Sequence, residues 1–262
     1  MIERRRTLLT AAAALLAGCG GPRVDTRFPA ISQGPRVDLL VIHYTVLDFA
    51  DSLRVLTQQV VSSHYLVDVD PPTIYRLVPE ERRANHAGVS AWAGRVLVNM
   101  SSIGIEIVNP GRIRTPTGEH YAPFPPAQID AVITLVRDIV TRWGIPKDRV
   151  VGHADVAPGR KQDPGPMFPW KRLADAGLAL WFDEALADEL RPRFEAALPP
   201  LPWFRLRLAQ LGYPVPGAPA DELLDAPTRD VLVSFQMRFR PATYDGTPDA
   251  QTAAILAALT QP

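Results

Sequence analysis

Two nearly continuous apolar runs, residues 38–44 and 101–108, are the predicted central strands of this chain. Runs of this kind are typical of strands that are buried on both faces of a sheet. In the second run, isoleucines at positions 103, 105 and 107 alternate with Gly104 and Glu106, so Glu106 faces the opposite side. Glu106 is the only charge in this strand. It is either a general base with a raised pKa or a solvent-facing residue of an edge strand.

Helical spacing is clearest over residues 125–143, which Gly144 and Pro146 terminate. Its apolar stripe consists of Ile129, Val132, Ile133, Val136, Ile139, Val140 and Trp143. A shorter helix is predicted over residues 51–61, with Asp51 or Ser52 as its N-cap.

Several shorter elements complete the pattern. Two strands are predicted over residues 62–67 and 73–78, and a short helix over residues 170–177. Residues 181–190 are predicted to form another helix or an extended tail. Three amphipathic helices are predicted over residues 203–211, 226–239 and 247–259.

The Pro-rich segment 198–202 predicts a domain boundary before these three helices. The helices carry enough apolar residues for a small core. Its expected members are Trp203, Leu206, Leu208, Leu232, Phe235, Phe239, Ile255 and Leu256.

The N-terminus has the features of a signal peptide over residues 1–18. Three arginines at positions 4–6 precede an apolar run, residues 8–16, that is too short to span a membrane. The tetrad LAGC that ends at Cys19 resembles the lipobox of bacterial lipoproteins, which implies cleavage before Cys19 and lipidation of its thiol. Gly20 implies sorting to the outer membrane in an enterobacterial-type host. Residues 19–35 are then a tether, and export by the Sec or the twin-arginine route stays open.

The amino-acid composition limits which classes of protein and which kinds of metal site this chain can form. Hydrophobic residues make up 47% of the 262 residues, charged residues 21%, and the formal net charge is zero. A disordered chain and a nucleic-acid partner are therefore not indicated. Cys19 is the single cysteine, which excludes an internal disulfide and a thiolate-rich zinc finger. A metal site needs histidine or carboxylate ligands.

The segment 150–170 is the strongest candidate for chemistry. A short β-branched run ends at Gly152 and His153, and the loop that follows carries Lys161, Asp163 and four prolines. Proline reduces the freedom of a loop, so this loop is expected to hold one shape. A rigid loop with these side chains suits a metal or acid–base site, and the alternative is a Pro-rich connector with ordinary surface charges.

His43 ends the first predicted central strand, and a lone histidine at such a position is more often structural than functional. Together with His153 and Asp163 it forms the ligand set expected of a catalytic zinc, with a fourth position for water. Glu106 would then be the base and Lys161 a cation near the developing oxyanion.

These residues also carry a family resemblance. Five segments in this order resemble the type-2 zinc-dependent N-acetylmuramoyl-L-alanine amidases, and especially the outer-membrane lipoprotein amidases with a C-terminal peptidoglycan-binding-like domain. The segments are VIHYT around His43, SSHYL around His64, HAG at His86, SIGIE ending at Glu106, and HAD…RKQDPG from His153 to Gly165.

The resemblance implies a role for each matching position. It places one zinc ion per chain on His43, His153 and Asp163, and it makes Glu106 the base and Lys161 the oxyanion partner. His86 and Asn99 match positions that face substrate, and His64 matches a histidine that lies behind the ligands. Asn85 stands where relatives often carry tryptophan, so an aromatic substrate contact there is not expected. His120 has no counterpart and is expected on the surface.

The sequence therefore predicts an α/β fold, a mixed central sheet flanked by helices, followed by a small C-terminal three-helix domain. The expected layout is a signal peptide (1–18), a tether (19–35), a zinc amidase domain (36–198) and a peptidoglycan-binding-like domain (199–262). The expected reaction is hydrolysis of the amide between N-acetylmuramic acid and L-alanine in peptidoglycan or muropeptides. A lipid anchor would hold the enzyme at the periplasmic face of the outer membrane of a Gram-negative host.

Two alternatives to this function stay open: a non-catalytic peptidoglycan receptor, and a zinc peptidase that acts on stem peptides. The residues leave undecided the anhydro or reducing form of the sugar, the stem-peptide preference and the oligomeric state. We also expect the chemistry to lie within residues 36–180. Truncation after Leu198 would then spare turnover of small muropeptides and weaken binding to sacculi. Trp203, Tyr213 and Tyr244 are the candidates for stacking on sugar rings, although core packing is the favoured role for Trp203.

Overall fold

The helices and strands lie between Leu39 and Thr260 in the computed structural model, which describes residues 21–22, 24–116, 118–215 and 223–261. The chain divides into two units, Met1–Gly34 and Pro35–Pro262. Described residues of the first unit contain no helix or strand. The predicted signal peptide and Cys19 lie outside the described residues. No helix in the described part of the chain has the length and apolar character needed to cross a membrane.

The second unit alternates strands and helices in its N-terminal part and ends in helices only. Strands of the described residues are β1 (Leu39–Tyr44), β2 (Tyr65–Val67), β3 (Ile74–Arg76), β4 (Ala91–Trp92), β5 (Arg95–Val96), β6 (Ser102–Ile107), β7 (Arg112–Thr115), β8 (Gly118–Tyr121) and β9 (Val150–Gly152). Helices are α1 (Phe49–Gln58), α2 (Pro126–Trp143), α3 (His153–Val156), α4 (Trp170–Asp175), α5 (Glu184–Ala196), α6 (Leu201–Leu211), α7 (Ala226–Phe239) and α8 (Ala250–Thr260).

A mixed five-stranded sheet of order β3-β2-β6-β1-β9 organises this unit. β2, β6, β1 and β9 are parallel neighbours, and β3 pairs antiparallel at one edge. The two predicted central strands are confirmed as β1 and β6, which lie side by side in the middle of the sheet. Every residue of β1 except Tyr44 is buried, as expected for a strand covered on both faces.

One face of the sheet packs against α2, whose predicted apolar stripe is confirmed. Ile129, Val132 and Ile139 of α2 are fully buried against sheet residues that include Leu40 and Ile105. The helix ends as predicted, because Gly144 adopts a left-handed φ of 66° as its C-cap.

The opposite face is shared by two sets of helices. α1 covers one part of it through Leu56, which packs against Leu66 of β2. The other part is covered by the C-terminal helices, whose buried residues form one cluster with Leu39 and Val41 of β1 and Val151 of β9. The C-terminal helices therefore share their core with the sheet.

The three predicted C-terminal helices are present, and α5 packs with them. Of their predicted core residues, Leu208, Leu232 and Phe235 are fully buried in this cluster, together with Phe204, which was not predicted. The prediction for Leu206 is wrong, since this side chain is 53% exposed.

Several element boundaries differ from the predicted ones. α1 begins at Phe49, and its N-cap is Asp48, which accepts a hydrogen bond from the backbone N–H of Asp51. Residues 181–190 contribute to a helix, α5, rather than an extended tail. The hairpins β4–β5 and β7–β8 were not predicted, because strands of two to four residues carry almost no periodic signal.

Candidate active site

The carboxyl ends of three adjacent parallel strands, β6, β1 and β9, lie side by side and bring the candidate residues together. In the register, Ile42 of β1 pairs with Gly152 of β9, so His43 and His153, which follow them, are neighbours. His43 in turn pairs with Glu106 of β6. The carboxyl ends of parallel strands are a common position for sites in α/β proteins.

The Pro-rich loop returns Asp163 to the same place. His153 begins the short helix α3, and the backbone N–H of Ala154 donates a 2.8 Å hydrogen bond to the carbonyl of Asp163. This bond closes the segment between them into a loop whose two ends meet. Lys161, two residues before Asp163, lines the same cleft.

His43, His153 and Asp163 converge on one point. The Nδ1 atoms of the two histidines are 2.9 Å apart, and each lies 3.0 Å from Oδ2 of Asp163. All three side chains are buried, with exposed fractions of 1%, 3% and 7%. The predicted ligand set is thus assembled in space.

A chain of hydrogen bonds fixes the tautomer of His43. The Ser102 hydroxyl donates to the carbonyl of Val98 at 2.6 Å, so its oxygen accepts from Nε2 of His86 at 3.0 Å. Nδ1 of His86 is then free to accept from Nε2 of His43, at 3.0 Å. With its proton on Nε2, a neutral His43 presents a lone pair on Nδ1 to the cluster.

His153 is oriented in the same sense. Its Nε2 lies 3.1 Å from the carbonyl oxygen of Ala87, which only accepts, so Nε2 carries the proton. In the neutral form, its Nδ1 also presents a lone pair. Two imidazole lone pairs and a carboxylate oxygen within 3.0 Å of one another repel unless a cation lies among them.

The cluster fits a zinc ion. Tetrahedral zinc with ligands at about 2.0–2.1 Å holds them roughly 3.4 Å apart, close to the spacing of these three atoms. Two histidines and one carboxylate are a donor set of catalytic zinc sites, which keep a fourth position open. The hydrogen bonds from Nε2 of each histidine are the outer contacts that orient such ligands.

The charge states suit metal binding. Burial and, to a smaller extent, proximity to His153 lower the pKa of His43 to about 4 against the opposing effect of Asp163. His43 is therefore neutral at pH 7. Burial disfavours the ionised form of Asp163, but whenever an imidazole of the cluster is protonated, above all His153, its charge and hydrogen bond outweigh burial and lower the pKa of this carboxyl group.

Glu106 lies in the sheet interior, so the edge-strand alternative is wrong: β6 has β2 on one side and β1 on the other. Its Oε2 atom is buried and accepts no hydrogen bond from the described residues. Burial, together with the charge of Asp163, raises the pKa of Glu106 to about 8, against the opposing charge of Lys161. A carboxyl group with a pKa near neutrality can both take up and release a proton.

A cleft of about 230 Å³ opens above these groups. Glu106, Lys161 and Asp163 supply its charges. One wall is apolar and comes from α1 and the segments on either side of it: Val46, Leu47, Val55, Leu56 and Val61. The cleft therefore combines a small charged floor with a surface for uncharged parts of a substrate.

The remaining predicted residues lie around this site. Both ring nitrogens of His86 are hydrogen-bonded, so neither is free for a substrate. Oδ1 of Asn99 accepts from the backbone N–H groups of His86 and Ala87, which holds that loop in place. These contacts favour positioning roles for His86 and Asn99 over the predicted substrate contacts.

His64 lies one layer further back. Its Nδ1 accepts from the Gly104 N–H at 3.0 Å, its Nε2 donates to the carbonyl of Arg82, and its ring packs edge-on against His86. Asn85 is exposed at the cleft. His120 is exposed on β8, as predicted.

Three contributors were not identified from the sequence. Ser102 completes the His86 chain, and it shares a strand face with Gly104 and Glu106, so the alternation in β6 contains that signal. The Ala87 carbonyl and Arg160, which donates to the carbonyls of Ala87 and Val89, carry no pattern of their own.

Comparisons with known proteins agree with this site. Residues 33–166 match the family model of N-acetylmuramoyl-L-alanine amidase, and residues 199–256 match that of a putative peptidoglycan binding domain. The chain is 44% identical to the N-acetylmuramoyl-L-alanine amidase AmiD of Escherichia coli K12, over 98% of this chain and 97% of that protein.

Two solved structures have the same fold. One is E. coli AmiD in complex with anhydro-N-acetylmuramic acid-L-Ala-D-gamma-Glu-L-Lys, with a TM-score of 0.81 and 43% identity, covering 91% of this chain and 94% of that one. The other is AMPDH3 from Pseudomonas aeruginosa in complex with an anhydromuramic pentapeptide, with a TM-score of 0.83 and 40% identity, covering 91% and 97%. The resemblance seen in the sequence is confirmed.

Proposed function

The chain belongs to the N-acetylmuramoyl-L-alanine amidase family, and on that premise we propose that His43, His153 and Asp163 hold one zinc ion. It is an enzyme that hydrolyses the amide bond between N-acetylmuramic acid and L-alanine of peptidoglycan fragments. The convergence of three electron-pair donors within 3.0 Å carries the zinc assignment. When bound, zinc supplies a Lewis acid that lowers the pKa of water to about 7 and polarises a carbonyl.

Glu106 is proposed as the general base. Its free Oε2 faces no other donor among the described residues, and its raised pKa suits proton exchange near neutral pH. Glu106 takes a proton from the attacking water and delivers it to the leaving nitrogen of L-alanine. General acid–base catalysis of this kind typically contributes about 10²- to 10⁴-fold.

Lys161 is proposed to stabilise the oxyanion. Lys161 lines the cleft with Asp163 and Glu106, and its positive charge would oppose the negative charge that develops on the carbonyl oxygen of the lactyl group. The presence of both groups in one cleft with the ligand set favours an enzyme over a non-catalytic receptor, which needs neither.

We also propose which substrate this enzyme accepts and where in the cell it is held. The two solved relatives bind anhydromuramic peptides, which supports the proposal that this enzyme accepts 1,6-anhydro muropeptides. Residues 199–262 are proposed to bind peptidoglycan, as the match over residues 199–256 suggests. Lipidation at Cys19, with residues 1–18 as signal peptide and 19–35 as tether, is proposed to place residues 36–262 on the periplasmic face of the outer membrane.

Mass spectrometry of muropeptide digests tests the function. We expect the full chain to convert an anhydro-muramyl tetrapeptide into the free sugar and an intact peptide that begins with L-alanine. Chelation should abolish this, and added zinc should restore it. Shortened stem peptides on an intact lactyl amide would indicate a zinc peptidase, and binding without products would indicate a receptor. Full activity in a metal-free preparation would reject the zinc assignment.

A further inference from the structure

Asp155, two residues after the proposed ligand His153, is a buried carboxylate at the base of the metal site. It is 2% exposed. Its Oδ2 accepts from the backbone N–H of Gly152 at 2.8 Å, so its side chain closes a short ring around His153. The position of His153 therefore depends on how Asp155 is held.

The groups that hold Asp155 come from the C-terminal helices. Arg238 of α7 donates from Nη1 to Oδ2 at 3.0 Å, and the Tyr213 hydroxyl, just after α6, donates to Oδ1 at 2.7 Å. Both partners are buried, with exposed fractions of 5% and 4%. Because Tyr213 is buried, the predicted stacking of its ring on sugars is wrong.

Arg238 is itself fixed. Its Nη2 lies 3.3 Å from the carbonyl of Leu180, and its guanidinium lies 4.1 Å from the ring centre of Trp170, at the end of the Pro-rich loop. Arg238 thus contacts the Pro-rich segment that carries His153 and Asp163 near both of its ends, at Asp155 and at Trp170. A buried carboxylate that loses its partners is strongly disfavoured, so the loop would rearrange without them.

We propose that Arg238 and Tyr213 are positioning residues of the metal site, through which the C-terminal helices set its zinc affinity. This inference rests on the proposed zinc site. The helices hold Asp155, Asp155 holds the Gly152–His153 segment, and that segment points Nδ1 of His153 at His43. Outer contacts of this type typically contribute about 10- to 100-fold to metal affinity.

The test is zinc affinity of the full-length chain, measured by competition with a chromophoric chelator, beside the melting temperature of the metal-free form. Tyr213→Phe removes one oxygen and keeps the ring packed on Trp92. Arg238→Met removes the charge, and Arg238→Lys restores it. We expect zinc affinity to fall severalfold in Tyr213→Phe, about 10- to 100-fold in Arg238→Met, and less in Arg238→Lys.

Matched controls separate positioning from folding. Tyr65→Phe removes a buried hydroxyl that donates to Glu80, and Arg205→Met removes a buried guanidinium that donates to Thr228; both of these hydrogen bonds lie outside residues 150–170. Both should lower the melting temperature and leave zinc affinity unchanged. Equal zinc affinity in Tyr213→Phe, Arg238→Met and these controls would overturn the inference. Should Arg238→Met not fold, Tyr213→Phe against Tyr65→Phe decides. A wild-type chain without stoichiometric zinc would instead reject the proposed function.

Discussion

Nε2 of His43 lies 3.0 Å from Nδ1 of His86, and this contact determines which nitrogen of His43 faces the metal cluster. His86 accepts here only because its own proton is on Nε2, where Ser102 accepts it. A residue matched to the substrate side in related amidases is thus placed behind a proposed ligand.

Removal of His86 should therefore weaken metal binding. His86→Ala leaves the Nε2 proton of His43 without its acceptor, and we expect zinc affinity to drop about 10- to 100-fold. Chelator competition measures this, with the exposed His120→Ala as control. An unchanged zinc affinity combined with a raised KM would show that His86 contacts the substrate instead.

Gly104 should not tolerate a side chain. A methyl group at this position would lie 2.5 Å from Cγ of His86 and 2.7 Å from its Nδ1. We expect Gly104→Ala to cost about 1–3 kcal/mol of unfolding free energy through overpacking, and to lower zinc affinity because the His86 ring must move. Urea denaturation and chelator titration measure the two effects. Gly34→Ala, which meets nothing within 4 Å, is the control.

The two proposed catalytic groups should be separable from the ligands. Glu106→Gln and Lys161→Ala should each keep about one zinc per chain, while kcat falls about 10²- to 10⁴-fold for Glu106→Gln. Metal analysis and muropeptide turnover on the same preparations check this. If Glu106→Gln lost its zinc, Glu106 would be a ligand and not the base.

The raised pKa of Glu106 predicts a pH-dependent stability of the metal-free protein. Its pKa is about 8 in the folded chain against an ordinary 4.5, so the folded state keeps a proton that the unfolded state releases between these values. The resulting stabilisation is complete below pH 4.5 and is lost as the pH rises through 8. Relative to Glu106→Gln, wild type should lose up to about 1.4 kcal/mol per pH unit in that window. Urea denaturation at several pH values measures this, and a constant difference would contradict it.

Truncation after Leu198 should unfold more than the C-terminal helices. The sequence suggests an independent binding module, but Leu39, Val41 and Val151 of the sheet are buried in one cluster with Phe204 and Phe235. Without the C-terminal helices these sheet residues would be exposed to water, and a large part of the stabilisation from apolar burial on that face would be lost. We expect the truncated chain to melt well below the full chain and to bind zinc poorly. A truncated chain with unchanged melting and zinc affinity would contradict the shared core.

Sequence reasoning identified the central strands and α2 because long periodic runs carry a strong signal. β1, β6 and α2 agree with their predicted ranges to within two residues. The short α3 was hidden in the Pro-rich loop, and the α1 cap was misplaced because Asp48 and Asp51 are both plausible caps. The ligand set was accessible because each residue ends a recognisable strand or lies on a rigid loop.

The supporting contacts could not be derived in the same way. Asp155 meets Arg238 across 83 positions of sequence, and His153 meets a backbone carbonyl 66 positions away. Such pairs depend on how helices and loops are placed in space, and neither residue type nor spacing encodes them. The periodic pattern shows which faces are buried but does not show which face meets which.

The single cluster that joins the sheet to the C-terminal helices has a consequence for engineering. These helices cannot be exchanged as a cassette: a chimera that carried α6, α7 and α8 to another amidase would need a sheet face shaped like that of Leu39 and Val41, and an aspartate in place for Arg238. A foreign binding domain fused after α5 would leave the sheet face of Leu39 and Val41 uncovered and Asp155 without its hydrogen-bond partners. The portable unit of this enzyme is the whole of Pro35–Pro262, and new targeting modules belong at its ends.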